Sequence, residues 1–501
     1  MDNAAEILTS KVRQCLGHEP TAEQQQAMNT FSRFMTNGDM QSVMLLRGSA
    51  GTGKTTLAAA IVKALTAMGQ KIVLMAPTGR AAKVFSLYAD HNAFTIHRRI
   101  YRQKSAGDLS SFNLNANLQR DTLFIVDEAS MIYSYSGTDT FGSGSLMDDL
   151  IAFVYQGEGC RLMLIGDQAQ LPPVGEELSP ALHTDALGAY GLTVFHADLN
   201  QVLRQSSTSG ILWNATQVRA ILEEGMETGD LSLPRFRLHG FADITVVPGD
   251  ELIESLASSY SRVGTDQTMV ITRSNKRANI YNQGIRRTVL DCEDELCRGD
   301  RLMIVKNNYH WISVESKTES VESKLYTPNS TLQTLNSKLS FLANGDCCVV
   351  QRVRHSHELY GFRFADVTLQ LPDYDDYELT ATVILDSLKT EAPALTREQQ
   401  ELLYNNVMED YGDIPLKADR IKKLKEDAHY NALQVKYGYA VTCHKAQGGQ
   451  WAHVYIDQGY MTDDMLTPDY LHWLYTALTR ATEHVFLVNW PATQVESTVI
   501  S

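Results

Sequence analysis

The strongest constraint on this chain is a short segment, Gly48-Ser49-Ala50-Gly51-Thr52-Gly53-Lys54-Thr55, of the pattern GxxxxGK[ST]. It follows the apolar run Ser42 to Arg47 (SVMLLR) and leads into a helix-length segment, Lys54 to Met68. A glycine-rich turn between a buried strand and a helix N-terminus points backbone N–H groups inward, where they cradle phosphate oxygens. Lys54 adds a point charge for the β and γ phosphates and Thr55 a hydroxyl for Mg²⁺, and Thr56 is counted with them in the nucleotide-binding set. The implied ligands are ATP and Mg²⁺. The element also demands a parallel sheet, because only there does a strand end feed a helix at a ligand-binding edge.

The rest of the chain supplies such a sheet. Lys71 to Ala76 (KIVLMA), Thr122 to Val126 (TLFIV) and Arg161 to Ile165 (RLMLI) are short and wholly apolar, the mark of strands buried on both faces, with helix-length segments between them. The rhythm returns in Thr268 to Thr272, a helical Asn275 to Arg287, Ala452 to Ile456, a helix around Tyr470 to Ala481 and His484 to Asn489. We read an α/β protein with two motor domains of related design, residues 1–200, and 201–300 together with 430–501. Residues 301–429 break the rhythm with short β-like runs, a Ser/Thr-rich stretch near 313–337 and an acidic helical segment from Thr396 to Tyr411. They are expected to form a small inserted β domain. Residues 98–120, polar and basic, suit a hairpin or short arm, read either as a strand-splitting pin with Phe112 at its tip or as a plain surface loop.

A chain of 501 residues exceeds one compact core, and roughly one domain per 150 residues gives about three. No run approaches the ~18 consecutive apolar residues of a membrane-spanning helix, and Met1 to Glu6 lacks a cationic leader, so the expectation is a cytoplasmic protein with no membrane partner. The seven cysteines form neither a CxxC pair nor a zinc pattern, and are read as reduced thiols.

A phosphate cradle needs an acid for the metal. Asp127 and Glu128 end the strand Thr122 to Val126 on the same sheet edge as Gly48. There Asp127 reaches the Mg²⁺ shell and Glu128 orients or deprotonates the attacking water. Gln168, after the strand Arg161 to Ile165, is placed to sense the γ-phosphate.

Further motifs follow in order. Thr21-Ala22-Glu23-Gln24, Ala76 to Ala82 (APTGRAA), Thr95-Ile96-His97, Val126 to Ser130 (VDEAS), Gly166 to Val174 (GDQAQLPPV) and Leu203-Arg204-Gln205 precede Val441 to Gly448 (VTCHKAQG) and Leu474 to Ala481 (LYTALTRA). The set resembles superfamily 1 helicases of the RecD and Dda branch over about residues 20–490. The resemblance implies two RecA-like P-loop motor domains with parallel sheets, an inserted SH3-like barrel that Asn344-Gly345-Asp346 leads into, and a pin. It implies that Gln24 reads the adenine edge, that Arg204 and Arg480 reach the γ-phosphate, and that Gln447 and Gly448 link nucleotide to nucleic acid. It also implies DNA contacts from Thr78, Thr95, His97, Thr442 and His444, made to phosphates and therefore blind to sequence.

The net charge of −15 argues against nucleic acid only until it is resolved along the chain. Residues 71–104 hold seven Lys and Arg against Asp90 alone, 7 − 1 = +6, and residues 271–288 hold five and no acid, +5. Residues 372–414 hold eleven acids against Lys389 and Arg397, 2 − 11 = −9. The basic blocks flank the motifs assigned to the nucleic-acid groove, and the acid lies in the insertion. The reading is an ATP-dependent helicase moving 5′ to 3′ on single-stranded DNA, the polarity resting on the resemblance, and acting as a monomer at duplex junctions. An RNA or RNA–DNA hybrid helicase, or an ATP-switched clamp that does not unwind, are the alternatives.

Overall fold

The structure is a computed structural model and describes residues 2–105, 108–135, 142–201, 208–312, 341–462 and 465–496. Their packing divides the chain into two units: Met1–Lys104, Ser110–Gly249 and Ala446–Ser501 in the first, Ser105–Leu109 and Asp250–Lys445 in the second.

The first unit is built on a six-stranded parallel sheet in the order Ala93–Thr95, Lys71–Ala76, Thr122–Val126, Arg161–Gly166, Ser42–Gly48, Thr193–Leu199. All four strands read from apolar runs are present. The continuous apolar runs have a plain cause: Met44 and Leu46 enter one core cluster and Val43 and Leu45 the other, so the strand faces hydrocarbon on both sides. Truncating fully buried Leu45 to alanine therefore costs about 2–5 kcal/mol. The register Arg47↔Gly166, Val126↔Leu164 and Met75↔Val126 aligns the C-terminal strand ends, so Gly48, Asp127, Gly166 and Ala76 come to one edge. The helix Lys54–Ala67 buries Leu57, Ile61, Val62 and Leu65 against the sheet, and Ala58 and Ala60 let its backbone approach closely.

The unit holds a second parallel set, in which Ala481–Val488 pairs with Trp451–Asp457 and with Ile244–Val247. Helices Gly210–Thr228 and Pro468–Leu478 belong to the same unit. Within residues 98–120, strands Tyr101–Ser105 and Asp108–Leu114 pair as a two-stranded sheet, with residues 106 and 107 outside the described set. Phe112 is not its tip. The ring packs, partly buried, on the apolar cluster beneath the sheet, because an aromatic side chain gains more by leaving water than by crowning a turn.

In the second unit Thr268–Thr272 pairs in parallel with Ala440–Thr442. A closed barrel follows in the order Arg301–Ile304, Cys347–Leu359, Phe362–Leu371, Tyr377–Ile384, Leu433–Tyr437. Four of its strands contain the β-like runs of the sequence; the fifth lies beyond residue 429. Gly345, at φ 98°, makes the turn into the barrel, and Asp346 accepts from the Ala343 N–H at 2.8 Å and from the Tyr374 hydroxyl at 2.9 Å. The acidic helix is Arg397–Asp410, opened by a Thr396/Gln399 capping box. The Ser/Thr-rich stretch lies outside the described residues.

Two expectations change here. Cys292 and Cys297 are disulfide-bonded, with Cα atoms 6.3 Å apart, while Cys15, Cys160, Cys347, Cys348 and Cys443 are free. The loop between the pair folds back on Arg286, a geometry that spacing alone does not disclose. Arg286, counted in the +5 block, is buried: its Nε and Nη2 donate to the two Asp300 carboxylate oxygens, each at 2.8 Å. It contributes to architecture, so the +5 count overstates the charge the block can present.

Candidate nucleotide site

The P-loop owes its shape to three glycines. Gly51 and Gly53 hold φ 79° and 84°, in the left-handed region that side chains avoid. At Gly48 a Cβ would lie 2.7 Å from the Leu199 carbonyl oxygen and 2.9 Å from Thr52 Oγ1. Ser49 is buried, Ala50 and Thr55 are half-buried and Thr56 is exposed. Lys54 Nζ donates to the Gly48 and Ser49 carbonyls at 2.5 and 2.8 Å and lies 3.9 Å from Asp167 Oδ2.

Asp127 follows its strand directly, and its Oδ1 accepts from the Glu128 N–H at 2.9 Å. Burial, and then the charge of Glu128, push the Asp127 carboxyl up to about 7. Glu128 itself sits at φ 54°, an uncommon conformation for a residue with a Cβ. Backbone strain of this kind clusters where chemistry fixes the residue.

The two glutamines that follow the strand Arg161–Gly166 have different partners. Gln168 Nε2 donates to the Leu182 carbonyl at 2.9 Å. Gln170, buried, faces the carboxylate instead: with the amide oriented by its partners, Nε2 donates to Glu128 Oε2 at 3.2 Å and Oε1 accepts from Arg480 Nη2 at 3.2 Å. Arg480 is also buried, with Nε on the Thr476 carbonyl at 3.1 Å, Nη1 on the Gly449 carbonyl at 3.3 Å and Nη2 on Thr479 Oγ1 at 3.2 Å. The other arginine expected here, Arg204, lies outside the described residues.

Tyr475, on the helix that precedes Arg480, was not singled out by the sequence. Its hydroxyl accepts from the Ala50 N–H at 2.9 Å and donates to Asp167 Oδ2 at 2.6 Å, and burial holds the phenol protonated, well above its ordinary range. Gln24 is fully buried and its amide is already bonded, accepting from the Thr21 N–H at 3.2 Å and donating to the Thr52 carbonyl at 3.4 Å. Gln447 Nε2 donates to the Leu171 carbonyl at 2.8 Å. Gly448, at φ 73°, passes so close to Ala81 that a Cβ would lie 3.0 Å from its methyl. The Arg80 guanidinium stacks 4.4 Å over Trp451 beside it.

The residues expected to meet nucleic acid fall in both units. Thr78 follows the strand Lys71–Ala76 and Thr95 ends the strand Ala93–Thr95, and their hydroxyls cap helix starts, accepting from the Ala81 N–H at 3.2 Å and the Arg98 N–H at 3.3 Å. Thr78 is half-buried and Thr95 buried; the His97 ring lies 5.6 Å from that of Tyr101. In the second unit Thr442 ends its strand and His444 is exposed in the short helix Cys443–Ala446.

A phosphate cradle, a metal-side aspartate, a neighbouring glutamate and a buried arginine joined to that glutamate through an amide define a P-loop NTPase. Comparison with known proteins narrows the class. Residues 19–229 match the family model described as AAA domain, and residues 437–488 the one described as UvrD-like helicase C-terminal domain. The chain is 32% identical over 170 residues to the ATP-dependent RecD2 DNA helicase of Deinococcus radiodurans, covering 34% of this chain and 21% of that one. It is 25% identical over 304 residues to the ATP-dependent DNA helicase dda of Enterobacteria phage T4, covering 55% and 59%. It thus spans about a fifth and about three fifths of these curated relatives. A solved structure of Pif1 helicase from Bacteroides aligns over 95% of this chain and 94% of its own, at 14% identity and a TM-score of 0.47. With the motif order, these matches support a superfamily 1 helicase of the RecD and Dda type.

Proposed function

We propose that the protein is an ATP-driven translocase that moves 5′ to 3′ on single-stranded DNA and unwinds duplex ahead of it. The observation that carries the reading is the Gln170 amide held between Glu128 and Arg480. A bridge from a water-activating carboxylate to a buried arginine registers hydrolysis at one end and passes it on at the other. Arg480 bonds the Gly449 carbonyl, beside the Gln447–Gly448 segment that packs on the helix capped by Thr78, so the same bonds lead towards the residues expected to hold phosphates of DNA.

Chemically, Glu128 accepts a proton from water as its oxygen bonds to the γ-phosphorus, and the departing electron pair goes to the β-phosphate oxygen of ADP. Lys54 and Arg480 offset charge on the transferring group. Thr55 and Asp127 suit a divalent cation, since a carboxyl raised to about 7 beside a second carboxylate is relieved by a neighbouring positive charge. Mg²⁺ held there would neutralise phosphate oxygens. Threonine hydroxyls on DNA phosphates carry no base information, which suits stepping along any sequence.

A clamp without unwinding needs no hydrolytic set, and the Glu128–Gln170–Arg480 contact favours turnover. The deciding experiment is unwinding of matched duplexes with a 5′ or a 3′ overhang, in DNA and in RNA. The expected outcome is ATP-dependent strand separation of DNA from the 5′ overhang. Preference for the 3′ overhang or for RNA refutes the proposal.

A further inference from the structure

Arg219, on the helix Gly210–Thr228, belongs to none of the motifs that define the site, yet it faces the P-loop. It lines a cavity of about 210 Å³ with Ser49, Ala50, Asn200, Glu223 and Tyr475. The cavity adjoins the N-terminal half of the cradle, where Tyr475 ties the Ala50 N–H to Asp167, the carboxylate that Lys54 approaches to 3.9 Å. We propose that Arg219 is a phosphate-directed arginine that exchanges its partner Glu223 for the γ-phosphate of ATP as hydrolysis proceeds. The inference rests on the ATP-site reading above and adds a residue to it.

Three observations support it. Its side chain is 19% exposed, and its ion pair with Glu223, 2.6 Å long, is an i,i+4 contact to a carboxylate that is 59% exposed. A half-exposed carboxylate one helical turn away is a weakly held partner, so leaving it costs little beside a charge-assisted bond to phosphate. Its other contact is a 3.3 Å bond from Nη2 to Asn200 Oδ1. Arg480, by contrast, has acceptors on Nε, Nη1 and Nη2 and must release Gln170 or another buried partner before it can meet phosphate. Third, burial opposes the Arg219 charge, but Asp167 and Glu223 outweigh it and hold the guanidinium above its ordinary range. A cation attracted by Asp167 stands on the side of the cradle where Lys54 meets the terminal phosphate.

Charge on the transferring phosphoryl group is spread over its oxygens, and a planar fork meets two of them at once. Arg219→Ala should lower kcat for ATP hydrolysis about 100-fold, the loss typical of removing one such donor. KM for ATP and affinity for ADP should change less than threefold, while affinity for ADP with aluminium fluoride, which mimics the transferring group, is lost. Arg219→Lys keeps the charge without the fork and should recover part of kcat; this also separates chemistry from folding, since the two variants are compared at equal melting temperature. An unchanged kcat in Arg219→Ala, or an equal loss of ADP and ADP–aluminium fluoride affinity, overturns the proposal, the latter by making Arg219 a general nucleotide contact. Lys54→Ala run alongside separates the two levels: turnover lost there but kept in Arg219→Ala refutes Arg219 alone, and hydrolysis indifferent to both refutes the ATP-site reading with it.

Discussion

Two clusters of buried charge in this molecule obey opposite rules. At the start of the barrel, Arg286 is satisfied on all sides: both Asp300 oxygens, the Asp294 carbonyl at 2.6 Å and the Tyr437 hydroxyl at 3.2 Å take its protons, and Tyr439 donates to the same carboxylate at 3.1 Å. At the nucleotide site, Lys54 reaches its carboxylate only at 3.9 Å, Asp127 is raised to about 7 beside Glu128, and Arg219 holds a solvent-facing partner. A saturated network fixes geometry, whereas an undersupplied one is arranged for a charge yet to arrive. Unequal satisfaction, more than burial or charge count, separates architecture from chemistry here.

The comparison can be broken at three points. Lys54→Ala should abolish ATP hydrolysis, by about 1,000-fold or more, while leaving the melting temperature within a few degrees, because the lysine's bonds to two carbonyls are replaceable by water. Near-normal turnover, or a large loss of stability, would put Lys54 in the architectural class. Arg286→Ala should do the reverse. Leaving Asp300 buried without its partner should destabilise the second unit by about 3–5 kcal/mol, read by denaturant unfolding. The smallest effect concerns protons. Since the folded-state carboxyl of Asp127 lies at about 7, above its ordinary value, protonation competes with a cation over the range below 7. Apparent Mg²⁺ affinity for hydrolysis should weaken about fivefold as pH falls from 7 to 6 and level off above 8; a flat profile would show that Asp127 does not ligate the metal.

Much of this was legible in the chain. The phosphate cradle could be read because its glycines, lysine and threonine are adjacent in sequence, and the strand ends because a strand buried on both faces is written as an unbroken apolar run. What was not legible depends on turns. In Gly166-Asp167-Gln168-Ala169-Gln170 either glutamine is chemically suitable; a turn in which the Gln170 N–H meets the Asp167 carbonyl at 3.2 Å decides which amide faces Glu128. Tyr475 lies within the segment Leu474 to Ala481, but the segment does not show that its hydroxyl meets the P-loop, and nothing local marks Arg219. The fifth barrel strand, Leu433–Tyr437, is brief and runs almost directly into Val441-Thr442-Cys443-His444, so a motif concealed a strand. The Cys292–Cys297 pair escaped for the same reason as Gln170: a loop brings together what spacing keeps apart.

Glu128 illustrates what such a site asks of the rest of the molecule. Its backbone lies where glycine would rest more comfortably, by roughly 1 kcal/mol. Selection for heat resistance alone would therefore favour replacing Glu128, the side chain proposed above to activate water. On that reading a population selected only for durability would become inert, and the small strain is a toll levied each time the chain folds.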